Sequence, residues 1–213
     1  MIFRLSTLMT LAAIWGFPAP GFVSGQNLED LKREVLEEVS SDELRKLSQE
    51  MVDMIYSFSE LGFQEVWTSD YVTRILEEEG FQVVRGCAGM PTCYVGAWGR
   101  GRPVIGFMGD IDGLPETSQK PGVPWQEPLI PGGPGHGEGH NSAAAVDVVA
   151  AIATKRVMER HGLAGTLKVI PGVAEELVAS RNYMVRAGLF QGMDVMLSTH
   201  ISNRMSTGYG ISG

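Results

Sequence analysis

From Phe81 onward the chain alternates short apolar runs with segments of helical period, and that alternation restricts the architecture more than any other feature. "FQVV", "TCYVGAW" and "RPVIGFMGDID" are rich in β-branched and aromatic residues and are separated by glycine and proline, so they read as three strands. "GTLKVIPGVAEE" reads as a strand running into a loop, "VASRNYMVRAGLF" as a short helix, and "MDVMLSTH" as another apolar strand. Strands alternating with helices imply an α/β fold with a mostly parallel sheet flanked by helices. Such sheets gather ligand-binding groups beyond the C-terminal ends of their strands. The polar residues at those ends are therefore where chemistry is expected.

Ahead of the strands, Leu44, Leu47, Met51, Met54, Ile55 and Phe58 recur at three and four residues. This predicts an amphipathic helix capped near Ser41 and Asp42 and closed by Gly62. Tyr71, Val72, Ile75 and Leu76 predict a second helix, capped by Thr68 or Ser69 and stopped by Gly80. A third starts near Asn141 or Ser142, buries Val146, Val149, Ala150, Ala153 and Val157, and ends at Gly162. Residues 116–135 are rich in Pro and Gly and follow no period, so they read as a surface loop long enough to be suspected of function.

The 213 residues are 44% hydrophobic and 20% charged, which is a globular composition rather than a disordered one. A formal charge of -8 with no block of Lys or Arg argues against nucleic acid as a partner. The opening stretch carries Arg4, an apolar run over residues 8–17, Pro18 and Pro20, then Val23 and Gly25 just before Gln26. Residues 1–25 therefore read as a secretory signal and 26–213 as the mature part, secreted or periplasmic. The apolar run is too short to span a bilayer, so no stable membrane anchor is expected after cleavage. Export permits disulfides, and the residues leave open whether Cys87 and Cys93 pair or stand as free thiols.

Four polar clusters occupy strand ends or a helix start. Asp110 and Asp112 follow "VIGFMG", Glu175 and Glu176 follow "LKVIPGVA", His200 closes "DVMLST", and His136, Glu138 and His140 alternate in "PGHGEGHN". Taken singly, each fits an ordinary protein surface: paired glutamates are usually solvated, and a strand-end histidine is usually a hydrogen-bonded core residue. Together, carboxylates and imidazoles around open coordination positions are what a hydrolytic zinc or manganese site requires.

Taken in order, "SELGFQE", "GDIDGLPETSQ", "GHGEGHN", "GVAEE", "MVRAGLF" and "DVMLSTH" resemble the metal-dependent aminoacylase and carboxypeptidase family, nearest to its aminobenzoyl-glutamate hydrolase-like branch, over nearly all of the mature chain. The resemblance implies a zinc-peptidase-like catalytic domain with two divalent ions, Zn or Mn, sharing a bridging water or hydroxide. Carried over by position, Glu138, His140, Glu176 and His200 are metal ligands, Glu175 is the general base, and Asp112 orients a ligand from outside the coordination sphere. Glu138 stands where many relatives in the branch have a cysteine, so a hard oxygen replaces a thiolate and metal identity stays open. Asp110 stands where other members have a histidine ligand, and neither its role nor that of His136 is fixed. His161 reads as a solvent-facing residue at a helix end.

The reaction implied is hydrolysis of an amide bond in an N-acyl amino acid or in an aminobenzoyl-glutamate-like or peptide-like conjugate, a small-molecule substrate. The rival is an inactive truncated relative that keeps the fold and serves as a binding or interaction module. Relatives also carry a lid or dimerisation domain and a further histidine ligand. The sequence thus holds four of the roughly five ligands implied, an incomplete catalytic domain expected to be inactive alone and homodimeric at full length.

Overall fold

Ser40 and Ser41 interrupt what would otherwise be one long amphipathic helix. The computed structural model describes residues 25–203 and 205–208 and has α1 at Gly25–Val39 and α2 at Asp42–Phe58. The segment read as a secretory signal lies, but for Gly25, outside the described residues. Ser41 is the N-cap of α2, its hydroxyl accepting from Leu44 N at 3.3 Å, with Asp42 and Glu43 complementing the positive end of the helix dipole. The helix stops at Phe58 rather than Gly62, because Ser59 turns left-handed at φ 46 and returns its N–H to Ile55 O.

Helix α3, Val66–Glu78, begins ahead of Thr68 and Ser69, which are buried within it. The expected cap is replaced by Glu60, whose carboxylate accepts from the N–H groups of Trp67 at 2.9 Å and Thr68 at 2.8 Å. An acid reaching in from the preceding loop satisfies the same orphan donors as an N-cap hydroxyl would. Gly80 ends the segment as expected, in the left-handed region.

Strands β1 (Gln82–Arg85), β2 (Tyr94–Arg100), β3 (Val104–Met108), β4 (Gly165–Val169) and β5 (Val195–Ser198) form one sheet in the order β1-β2-β4-β3-β5. Strands β4, β3 and β5 are parallel, and β2 runs antiparallel to both β1 and β4. The parallel side is the one whose strand ends carry the polar residues. Strand β5 closes that side among the described residues, with Val195 and Leu197 each 47% exposed. Cys87 and Cys93 flank the β1–β2 connection as free thiols, and burial pushes the Cys93 thiol up to about 12.

Helix α4 covers His140–His161 and starts earlier than expected, directly after Gly139 at φ 76. It packs against β3, β4 and β5 and also against α1 and α2, so it is buried around most of its circumference. Val149, Ala153 and Val157 are buried as expected and Ala150 half-buried, but Val146 is exposed. A helix with Ala and Val on every side has no unique apolar face, so its rotational phase is not written in its pattern. The core joins Leu44, Met51 and Ile55 of α2, Leu76 of α3, Ile152 of α4 and Leu167 of β4, all fully buried. Helix α5, Ser180–Arg186, adds Met184. Residues 116–135 form neither helix nor strand; Leu114 and Gly135 exchange backbone hydrogen bonds at the base of the loop.

Candidate metal centre

Beyond their last ladder pairs, β3 and β4 remain clipped together: Gly172 N bonds Gly109 O at 2.9 Å and Ile111 N bonds Gly172 O at 3.2 Å. Only glycine fits at position 172, since a Cβ there would overlap Asp110 Oδ1. Pro171 lacks an N–H to continue a ladder. The chain leaves β4 after Val169, so Glu175 and Glu176 lie on a separate 3-10 turn, Glu175–Leu177, rather than on a bent strand end. Ala174 and Val178, at φ 46 and 56, bracket that turn in the left-handed region. Glu65, fully buried at the start of α3, supports the turn through Ala174 N, which donates to its Oε1 at 2.6 Å. Thr92 Oγ1 donates to its other oxygen at 2.9 Å. Burial raises the Glu65 pKa, against the lowering effect of these hydrogen bonds.

Three of the four expected ligands cluster, and the fourth, Glu176, approaches through His140. His140 is the first residue of α4, Glu138 lies just ahead of it, His200 stands two residues past β5, and Glu176 is on the 3-10 turn. Glu138, His140 and His200 each offer a ligand atom within 4.8 Å of the other two. Glu138 Oε2 is 3.6 Å from His200 Nε2, and Glu176 Oε1 is 4.0 Å from His140 Nε2. The two imidazoles meet edge to face with centroids 5.4 Å apart.

Asp112 is fully buried and orients two of these groups. His140 Nδ1 donates to its carbonyl at 3.0 Å and lies 3.3 Å from its Oδ1, while Glu176 N donates to its Oδ2 at 3.1 Å. With Nδ1 committed as donor, Nε2 presents the lone pair once the ring is neutral, the form a metal ion binds. His140 Nε2, Glu176 Oε1 and Asp112 Oδ1 are buried and have no hydrogen-bond partner. Leaving such atoms unpaired is costly, and a divalent cation satisfies nitrogen and oxygen donors of this kind. The donor set therefore fits a metal. Burial works to lower the His140 pKa, but its aspartate partners outweigh that and raise it to about 9. Burial, with Glu138 next in weight, raises the Glu176 pKa.

No family profile matches the chain. Individual relatives do. A subunit of the p-aminobenzoyl-glutamate hydrolase of Escherichia coli is 31% identical over 173 residues, covering 81% of this chain and 36% of that protein. The N-acetylcysteine deacetylase of Bacillus subtilis is 30% identical over 151 residues, covering 68% of this chain and 37% of that protein. A solved dinuclear metal-binding peptidase of Bacillus subtilis superposes with a TM-score of 0.58 at 27% identity, covering 73% of this chain and 43% of that one. The chain belongs to the metal-dependent aminoacylase and carboxypeptidase family. It spans well under half the length of each of these relatives.

The remaining polar residues divide by partner. Asp110, 4% exposed, accepts from Arg181 Nη2 at 2.6 Å, and Arg181 Nη1 donates to Glu175 Oε1 at 3.2 Å. Burial raises the Asp110 pKa, partly offset by Arg181. His136 belongs to neither group of clustered ligand atoms; its Nε2 donates to Ile55 O at 3.1 Å, and burial lowers its pKa to about 4. His161 is exposed as expected and pairs with Glu34 at 2.8 Å. Asp147 on α4, whose pKa burial raises to about 7, accepts from Thr199 Oγ1 at 3.2 Å, immediately before His200. Glu65, Asp147 and Arg181 were not legible as site residues in the sequence. The one signal for Glu65 was its place in "SELGFQE", a motif of the family resemblance.

Proposed function

We propose that this chain builds the site of a metal-dependent amidohydrolase that cleaves the amide bond of an N-acyl amino acid or an aminobenzoyl-glutamate-like conjugate. The observation that supports the reading is that Glu138, His140 and His200 offer ligand atoms within 4.8 Å of one another, while Glu176 Oε1 lies 4.0 Å from His140 Nε2 and both of these atoms are buried without a hydrogen-bond partner. The substrate class comes from relatives named for p-aminobenzoyl-glutamate and N-acetylcysteine. These four residues would hold two divalent ions, Zn or Mn, which when bound polarise the amide carbonyl and make water more acidic. Glu175 accepts the proton of the attacking water as its oxygen bonds to the carbonyl carbon, then delivers that proton to the amide nitrogen as the C–N bond breaks. Asp112 holds the His140 tautomer and the Glu176 backbone while this happens.

Glu176→Ala should lower Mn²⁺ or Zn²⁺ occupancy measured by calorimetry. In the full-length protein, Glu175→Gln should leave the metal bound and abolish hydrolysis of p-aminobenzoyl-glutamate and N-acetyl amino acids. Equal metal loss in both variants would show that the two roles are wrongly divided. The reading of residues 1–25 as a signal supports export, and the family resemblance supports a homodimer at full length.

A further inference from the structure

Next to the four clustered residues lies a second arrangement with metal-site geometry. Asp110, His140 and Glu175 each offer a ligand atom, and these atoms lie within 4.8 Å of one another. His140 belongs to both groups and its Nδ1 is committed to the Asp112 carbonyl, so the donors this group has to itself are the two carboxylates, which suit a divalent ion that completes its shell with water. A fixed cation is already there. Arg181 Nη2 is 2.6 Å from Asp110 Oδ1 and Arg181 Nη1 is 3.2 Å from Glu175 Oε1, so one guanidinium spans both carboxylates.

We propose that Arg181 is a positioning residue that occupies the Asp110–His140–Glu175 cluster in place of a metal ion, and so reserves Glu175 for proton transfer. The inference rests on the metal-centre reading above and deepens it. Glu175 and Glu176 are neighbours on one turn with the same chemistry, and something other than residue type must decide which of them coordinates. Glu176 has its N–H bonded to Asp112 Oδ2 and its Oε1 near His140 Nε2, with no Lys or Arg paired to it among the described residues. Glu175 faces Arg181. A guanidinium never loses its charge in a protein and presents its N–H groups as a planar fork, so it can satisfy two acids at once. An entering ion would have to displace it from both.

The Arg181 side chain is 41% exposed and its buried Nε has no hydrogen-bond partner, so what holds the guanidinium is its two carboxylates. Asp110, itself 4% exposed, would be left as an unpaired buried acid if the guanidinium swung away.

The test is metal stoichiometry, which a merely structural arginine would not raise on removal. Mn²⁺ bound per chain is counted by equilibrium dialysis and native mass spectrometry for the unaltered protein, Arg181→Met, Arg181→Lys, and Arg181→Met combined with Asp110→Asn. Arg181→Met should bind one ion more than the unaltered protein, the double variant should lose that extra ion, and Arg181→Lys should keep the original count. An unchanged count in a folded Arg181→Met overturns the proposal. Should Arg181→Met fail to fold, Asp110→Asn alone decides: it should leave the original count intact, and loss of an ion would mean that a metal, not Arg181, already occupies the cluster. His200→Ala tests the metal-centre reading separately. If it leaves the count of the unaltered protein unchanged, that reading fails, whatever Arg181→Met shows.

Discussion

Replacing Glu65 with alanine should destabilise the fold and weaken the metal centre together, although Glu65 is assigned no contact with an ion. Its carboxylate is the acceptor for Ala174 N at 2.6 Å and Thr92 Oγ1 at 2.9 Å, in a fully buried position. Truncation leaves both donors without a partner, at about 1–3 kcal/mol each. Against this stands the cost of burying the carboxylate, visible in its raised pKa, which alanine removes. The net loss should be about 2–4 kcal/mol, a size that single substitutions reach only by mechanisms of this kind. Glu65→Gln is the control. Its amide oxygen can keep the Ala174 bond, and the Thr92 hydroxyl can rotate to accept from the amide NH₂, so the loss should stay below about 1 kcal/mol. Urea unfolding followed by far-UV circular dichroism measures the stability, and calorimetric titration with Mn²⁺ measures the affinity of the centre. Because Ala174 leads directly into Glu175 and Glu176, affinity should fall in the alanine variant and hold in the glutamine variant. An alanine variant as stable as the parent, with the same Mn²⁺ affinity, would refute the reasoning.

Three shorter expectations follow from other residues. His136 has its pKa lowered from 6.5 to about 4 by burial, so the unfolded chain binds the proton more tightly. Its contribution is complete above pH 6.5 and is lost as pH falls towards 4, amounting to about 3 kcal/mol, and His136→Gln should flatten the pH dependence of urea midpoints across that window. Asp112→Ala should reduce Mn²⁺ affinity by at least roughly tenfold, the usual cost of removing a group that orients a ligand, and an unchanged calorimetric affinity would remove Asp112 from that role. Mass spectrometry of exported protein should find a chain beginning near Gln26, and a chain retaining Met1 would count against signal cleavage.

The four proposed ligands were legible because the chemistry depends on residue type and the fold depends on strand order. "GVAEE" and "DVMLSTH" follow strands of the parallel part of the sheet and "GHGEGHN" opens the helix packed on it, which is where such folds gather ligand groups. Their supports were not legible. Glu65 reads in sequence as a polar residue before a helix, and nothing local announces that its partner lies 109 residues further on. Asp147 and Arg181 are ordinary polar positions on helices until the fold sets one beside Thr199 and the other between two acids. The late start expected for α3 has the same cause, since its cap comes from Glu60, outside the helix pattern. The exposure of Val146 reflects a different limit, a helix apolar on nearly every side.

Strand β5 has one further consequence. Among the described residues it stands at the margin of the sheet with Val195 and Leu197 half in solvent, and His200 follows two residues after its end. An unpaired strand margin is a template for another extended chain. Whatever adds to that margin bears on the setting of His200, and whatever fixes His200 bears on the margin. If a strand added there changes the affinity of the site for an ion by some factor, the ion changes the affinity for that strand by the same factor.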